Sequence, residues 1–235
     1  MRLDKFISTT TTLSRAEAKK IIKKGILIND NLVKSPDFKV DEINDQVIVN
    51  GERLVYQKYV YLMMNKPQNV VSATEDAIDK TVVDILEEKD RIHKVFPVGR
   101  LDKDTEGLML LTNDGELAHK LISPKKDVEK KYYVEVNGEL KKEYIEIVKA
   151  GLIIDGGYEC KSANLDILES SVEKSRAFIS ITEGKFHQVK RMMKALGTTV
   201  TYLKRLSIGT LILDENLKLG EYRNLTEEEL KNLNK

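Results

Sequence analysis

Two aspartates, Asp102 and Asp104, stand in the polar turn of GRLDKDTEGLMLLTNDGELAHKL, residues 99–121, just ahead of an aliphatic run. Carboxylates at the mouth of a buried strand have two chemical uses: one alone serves as a nucleophile or charge stabiliser, and two together serve as an acid and base pair. Gly99 and Gly107 flank the turn and let the backbone bend on both sides, so the turn can hold an acid at the edge of a cleft. A second cluster lies in EGKFHQVKRMMKALG. There Phe186, Val189, Met192, Met193 and Leu196 form an apolar stripe, while Lys185, Lys190, Arg191 and Lys194 are left on other faces. The methionines read as core; the cations read equally as a solvated face or as phosphate ligands. In EKKYYVEV the adjacent Tyr132 and Tyr133 point to opposite sides of a strand, so only one of them can meet a ligand above the sheet.

Other chemistries leave no signature. His93, His119 and His187 lack the spacing of a zinc site, and the chain has neither GxGxxG nor GxxxxGK[ST]. The single cysteine, Cys160, has no partner for a disulfide or a metal knuckle and reads as a buried or half-buried strand residue in a reducing compartment. The first residues are charged and carry no apolar leader segment, and no stretch approaches the roughly 20 apolar residues of a membrane span. The expectation is a soluble cytoplasmic protein, and no motif nominates a metal or an organic cofactor.

The elements that must position these residues fall into two parts. At 235 residues, 41% of them hydrophobic, the chain is long enough for one or two domains. Ser14 and Glu17 form a capping box that starts a helix over about 15–24, with Gly25 as its stop. ILIND and NLVK read as a hairpin turning at Asn29, Asp30 and Asn31, and DQVIVNG as a further strand. GERLVYQK, residues 51–58, reads as a hinge, giving domains 1–57 and 58–235. Beyond it, YVYLMMN, NVVSA, KVFPV, GLMLLT, YYVEV, AFISIT, TVTYL and IGTLILD are strand-like, and KKEYIEIVKAG and FHQVKRMMKALG are helical stretches that end in glycine. Several strand pairs lie too close in sequence for helical crossovers. The fold class is therefore α+β, with a mixed, mainly antiparallel sheet flanked by helices.

The formal charge of +1, from 39 basic and 38 acidic residues, hides a basic head. Residues 1–24 hold seven basic side chains against Asp4 and Glu17, and Arg15, Lys19 and Lys23 lie on the helix side opposite Ala18, Ile21 and Ile22. The pattern RLDKFI…LSRAEAKKIIKKGILIND resembles the S4 RNA-binding module, a small helical unit packed on a short sheet, over about the first fifty residues. That resemblance implies RNA contacts from Arg2, Arg15, Lys19 and Lys23.

Across nearly the whole chain, NKPQNVVSA, GRLDKDTEGLMLLTNDG, EKKYYVEV, EGKFHQVKRMMKALG with YLKRLSIG, and LGEYRNLTEEEL resemble, in order, the motifs of the RsuA-type pseudouridine synthases. The layout is most similar to the members that modify one uridine of 16S rRNA, with 23S rRNA as the alternative target. The resemblance implies that Asp102 is the catalytic aspartate and that Lys190 is the basic residue paired with it. It makes Tyr132 the tyrosine that stacks on the target base and a candidate for moving the sugar proton. Arg100 would hold the flipped nucleotide or the space it vacates, Leu203 would give an apolar contact under the base, and Arg191 would contribute to RNA binding. The implied partner is ribosomal RNA in a small-subunit assembly intermediate; a monomer is the default, since nothing in the pattern demands a dimer. The route by which Asp102 would act stays open between attack on the sugar carbon, attack on the base, and elimination through a glycal.

Two residues depart from the family pattern. Asn69 stands where glycine is usual, and asparagine tolerates the left-handed bend expected there. Glu106 stands where a small residue is usual, which predicts extra negative charge near the RNA path. Two rival readings remain at this level: a non-catalytic S4-type RNA-binding or ribosome-assembly protein, and a hydrolase using Asp102 and Asp104 as a carboxylate pair.

Overall fold

The computed structural model describes residues 1–234. The chain divides into two compact units, one made of 1–60 with 86–95, the other of 61–85 with the chain from 96 onward. The first unit contains helices α1 (Leu3–Thr10) and α2 (Arg15–Lys24) and strands β1 (Ile26–Ile28), β2 (Asn31–Val33), β3 (Val47–Val49) and β4 (Glu52–Leu54). The strands form an antiparallel sheet in the order β2-β1-β3-β4. Leu3, Phe6 and Ile7 of α1 pack with Ala18 and Ile22 of α2 on Ile26, Ile28, Val47 and Val49.

The capping box on α2 is present in both directions: Glu17 N–H donates to Ser14 Oγ at 3.3 Å and Ser14 N–H to Glu17 Oε2 at 2.8 Å. Helix α1 has no comparable sequence signal. Its last turn is threonine-rich, and the hydroxyls of Thr9, Thr10 and Thr11 donate back to the carbonyls of Lys5, Phe6 and Ile7 at 3.0, 2.8 and 2.7 Å. The expected hinge at 51–58 begins as a hairpin instead. Asn50 and Gly51 take φ of +52° and +84°, a turn that returns Glu52–Leu54 to pair with β3.

The remaining elements, in chain order, are β5 (Tyr61–Lys66), α3 (Glu88–Arg91), β6 (Phe96–Pro97), β7 (Glu106–Thr112), α4 (Gly115–Ile122), β8 (Lys130–Asn137) and α5 (Glu143–Ala150). They continue with β9 (Ile153–Ile154), β10 (Tyr158–Glu159), β11 (Asn164–Ser170), β12 (Lys174–Ile181), α6 (Gln188–Ala195), β13 (Thr199–Ile208), β14 (Leu211–Ile212), β15 (Tyr222–Asn224) and α7 (Glu227–Leu233). α3 belongs to the first unit; all the others belong to the second. The large sheet runs β11-β12-β8-β13-β7-β5-β15, with β14 added to β13 and β6 to β7, while β9 and β10 pair separately. Its pairings are antiparallel except for β7 with β13, as the short connections require.

β7 is buried at every position, as a central strand covered on both faces must be. Leu108 and Leu110 meet Leu117, Ala118 and Leu121 of α4 in the core, while α6 packs on β13 and α5 on β11. The parallel β7–β13 contact depends on Gly107, whose φ is +102° and where a Cβ would lie 2.2 Å from the Arg205 carbonyl oxygen. NVVSA is not a strand: Val71 makes a single bridge to Thr81, because the backbone turns at Asn69 with φ +62°. The left-handed bend expected of Asn69 is thus present.

Candidate active site

The turn that carries Asp102 is fixed by groups beneath it. Lys66, at the end of β5, is fully buried, and its Nζ donates to the carbonyls of Thr105 at 2.8 Å, Pro67 at 3.0 Å, Asp102 at 3.1 Å and Lys103 at 3.5 Å. Burial lowers the Lys66 pKa to about 8, opposed by the charges of Asp104, Asp102 and Glu106. Ser72 Oγ donates to the Leu101 carbonyl at 2.8 Å and accepts from its amide at 3.0 Å, and Asn69 N–H donates to the Lys103 carbonyl at 2.8 Å. The motif NKPQNVVSA therefore serves as the bed of the aspartate turn. Nothing in its periodicity marks Lys66 for this, since a lysine inside a strand normally reads as solvated.

With its backbone pinned, Asp102 presents a side chain that is 26% exposed. Its Oδ2 lies 3.0 Å from Lys190 Nζ of α6 and its Oδ1 3.5 Å from His187 Nε2. The same ammonium stands 2.6 Å from Asp104 Oδ1. Burial alone would raise the Asp104 carboxyl, but Lys190 against it holds it below the ordinary carboxylate range. Burial likewise works against the Lys190 charge, and the two aspartates outweigh it and raise its pKa.

A pocket of about 70 Å³ lies at this ion pair and is lined by Asp102, Arg100, Tyr132, Lys190 and Leu203. The loop, β8, α6 and β13 thus deliver to one place the five residues singled out in the catalytic motifs. Thr105 Oγ1, buried without a hydrogen-bond partner, belongs to the same pocket. Outside it runs a groove of about 820 Å³ bordered by Ser72, Arg100, Lys103, Lys185 and Phe186. Tyr132 is the tyrosine on the pocket side. Tyr133, on the other face of β8, donates to Glu135 Oε1 at 2.8 Å and packs edge-on against Phe178 and Tyr202.

Three side chains differ from expectation. Arg191 turns from the pocket to Asp155, donating to Oδ1 at 2.5 Å and to the carbonyl at 2.7 Å. Glu106 is buried and accepts from the Tyr202 hydroxyl at 2.6 Å, so its charge is enclosed rather than presented to RNA. Burial and then Glu106 push the Tyr202 pKa up. His187, read from sequence only as a lone histidine, sits at the N-terminus of α6 with φ +50° and stacks on Phe186 at a ring separation of 3.7 Å. Phe186 itself is 69% exposed. The apolar stripe expected of Phe186, Val189, Met192, Met193 and Leu196 is thus buried in its last four members only, because Phe186 precedes α6 and lies outside its buried face.

In the first unit, Arg2, Arg15 and Lys19 converge on the buried carboxylate of Asp4 at 3.2, 3.3 and 3.9 Å. Their own side chains stay about half exposed, and Lys23 is exposed without an ion pair among the described residues.

The sequence profile of the RNA pseudouridylate synthase family matches residues 60–195, and that of the S4 domain matches residues 1–47. Over the whole of this chain and 98% of the relative, the sequence is 48% identical to an uncharacterized RNA pseudouridine synthase of Bacillus subtilis (strain 168). It is 38% identical to the ribosomal small subunit pseudouridine synthase A of Haemophilus influenzae, over 99% of each chain. A crystal structure of a pseudouridylate synthase, 37% identical, superposes with a TM-score of 0.69 over 99% of both chains. The chain belongs to the RNA pseudouridylate synthase family and carries an S4 domain ahead of its catalytic part. Its activity is the isomerisation of uridine to pseudouridine in RNA, which sets aside the hydrolase and binding-only readings. No helix among the described residues is long and apolar enough to cross a membrane.

Proposed function

We propose that this enzyme, a cytoplasmic monomer, converts one uridine of 16S rRNA in a partly assembled small subunit, with Asp102 as the reacting group. The small-subunit target is supported by full-length similarity to relatives named for that subunit. The reaction breaks the N1–C1′ bond, turns the uracil over and joins C5 to C1′; C5 loses a proton and N1 gains one, with no net redox change. A carboxylate in a fixed position suffices for this as nucleophile or charge stabiliser. The observation that carries the reading is the pairing of Asp102 with Lys190 at 3.0 Å in a pocket that also holds Tyr132, Arg100 and Leu203.

The roles follow from the chemistry of each side chain. Lys190 supplies the counter-charge that keeps a carboxylate compatible with a half-enclosed site, and His187 orients the other oxygen. The uridine reaches Asp102 only when extruded from its stack, and the Tyr132 ring offers a new stacking surface worth about 1–3 kcal/mol per base. Leu203 borders the base from below. Arg100 lines both pocket and groove, where it can occupy the space the nucleotide leaves. Phe186, exposed on the groove and braced by His187, gives a second aromatic surface for the strand. In the S4 domain, Arg15, Lys19 and Lys23 make phosphate contacts.

The test is to incubate unmodified 16S rRNA, free and in small-subunit particles, with the enzyme and to map pseudouridine. One modified position, formed faster in particles, is expected. Modification of 23S rRNA with none in 16S would overturn the small-subunit assignment.

A further inference from the structure

A second cavity, of about 290 Å³, adjoins the Asp102 pocket; Arg100, Tyr132, Gly184 and Lys185 border both. Its lining combines apolar residues, Val98, Leu121, Ile122 and Ile208, with the cations Lys130, Lys161 and Arg205 besides the shared Arg100 and Lys185. Glu183 is the one carboxylate among its described lining residues, and its oxygens are already claimed. They accept from Tyr158 Oη at 2.5 Å, the Lys161 amide at 2.9 Å and Gln188 Nε2 at 2.6 Å.

The cations are not equally satisfied. Lys161 is matched by Asp127 at 2.5 Å. Arg205, only 4% exposed, donates from Nε to the Leu108 carbonyl at 2.8 Å and hydrogen-bonds Tyr132, while its Nη2 is buried with no partner. The side chain of Lys130, a residue 9% exposed, makes neither an ion pair nor a hydrogen bond among the described residues. Burial and the neighbouring Arg205 lower its pKa, with Asp127 opposing. No carboxylate pairs with Lys130 or Arg205 among the described residues, and a cavity lined by buried cations that lack a counter-charge suits an anion.

We infer that Lys130 and Arg205 seat one phosphate of the substrate strand beside the target uridine, with the apolar lining residues available to the attached sugar or base. The inference rests on the reading of the Asp102 pocket as the active site. It answers a requirement of the reaction. Once N1–C1′ is broken, the uracil must turn while C1′ stays in place, and on every route open to Asp102 contacts to the ribose and its phosphates help to hold C1′ there. A phosphate anchored next to the pocket keeps C1′ in register with Asp102 until C5 returns to it.

The experiment uses the full chain and short RNAs spanning the mapped site, each with one neutral methylphosphonate linkage in place of a phosphate near the uridine. With wild type, one linkage should lower kcat/KM about tenfold or more, the range for a lost hydrogen bond to a charged group. Lys130→Met should lower kcat/KM on unmodified RNA by a similar factor and become indifferent to that linkage, while keeping its response to the others. Lys130→Gln, checked by thermal unfolding, repeats the cycle if Lys130→Met does not fold. Equal sensitivity to that linkage in wild type and variant would overturn the inference. A parallel arm follows unfolding in inorganic phosphate against chloride at matched ionic strength. A cavity for a free anion would show stabilisation that Lys130→Met abolishes, with no linkage-specific effect, and that too would overturn the strand anchor. Absence of pseudouridine with wild type on every RNA would instead count against the active-site reading, while the phosphate arm still reports on the cavity.

Discussion

Asp4 and Asp102 are both carboxylates surrounded by cations, and they are built for opposite ends. Asp4 is fully buried and receives Arg2, Arg15 and Lys19 from the start of α1 and from α2. Arg2 lowers its pKa most; burial works the other way, and Arg15 adds to the lowering. Asp102 has one oxygen on Lys190, the other toward His187, and a quarter of its side chain open. Its backbone, rather than its carboxylate, is what the buried Lys66 holds. A carboxylate enclosed by its partners ties helices together. One whose main chain is clamped and whose head faces a pocket is placed to meet a substrate.

That contrast can be broken by substitution. The largest effect is expected from Asp102→Asn, which should lower kcat by at least about 10³-fold, as loss of a reacting side chain does, with RNA affinity and the unfolding midpoint unchanged. Asp104→Asn should cost far less, because Asp104 shares Lys190 but is two-thirds exposed. Equal losses from the two variants, read by single-turnover kinetics, would contradict the distinction between them.

Lys66→Met tests the clamp. The Lys66 ammonium has a folded-state pKa of about 8, below the value of about 10.4 for an unfolded lysine, so the unfolded chain binds more protons between those values. Keeping Lys66 charged in its buried site therefore carries a cost that is fully present below pH 8 and relieved as the pH rises toward 10. The unfolding midpoint of wild type relative to Lys66→Met should rise across that window; a difference independent of pH would refute the assignment.

Asp4→Asn should destabilise the protein by about 1–3 kcal/mol, the range for a lost charged hydrogen-bond network, measured by denaturant unfolding at pH 7. The contribution of Asp4 is complete at neutral pH and is lost as the pH falls through about 4 and below, since its folded pKa is depressed. The smallest effect concerns salt. Lys23→Gln should reduce the slope of log K against log salt by up to about 0.7, and Arg15→Gln by less, because Arg15 is partly neutralised by Asp4. Equal slopes would mean that the Asp4 pair opens when RNA binds.

The legible parts of the fold were those whose signal is local. Ser14 and Glu17 fixed the start of α2, Gly25 its end, and close-set strand runs implied an antiparallel sheet. Helix α1 was hidden because Thr9, Thr10 and Thr11 disfavour helix by propensity, and their hydroxyl bonds to the preceding turn become visible only in three dimensions. Strand β11, NLDILES, is an edge strand with mostly exposed side chains and little alternation to read. NVVSA misled in the other direction, since valines in a bed under a loop look like valines in a strand. In the site, Asp102, Tyr132, Lys190, Arg100 and Leu203 were reached through long motifs, whereas Lys66, His187 and Arg205 depend on what the fold brings against them. Glu106 shows the limit most plainly: a charge assigned to the RNA path lies buried on Tyr202, a contact between residues 96 positions apart.

The most direct test of the contrast is pseudouridine formation in 16S rRNA by wild type, Asp102→Asn and Asp4→Asn side by side, below the unfolding midpoint of the weakest variant, with RNA binding measured on the same samples. Asp102→Asn is expected to bind RNA and form no pseudouridine, and Asp4→Asn to retain turnover while unfolding earlier than wild type. Turnover by Asp102→Asn at a rate near wild type, or its abolition in a folded Asp4→Asn, would show that the two carboxylates have been assigned the wrong way round.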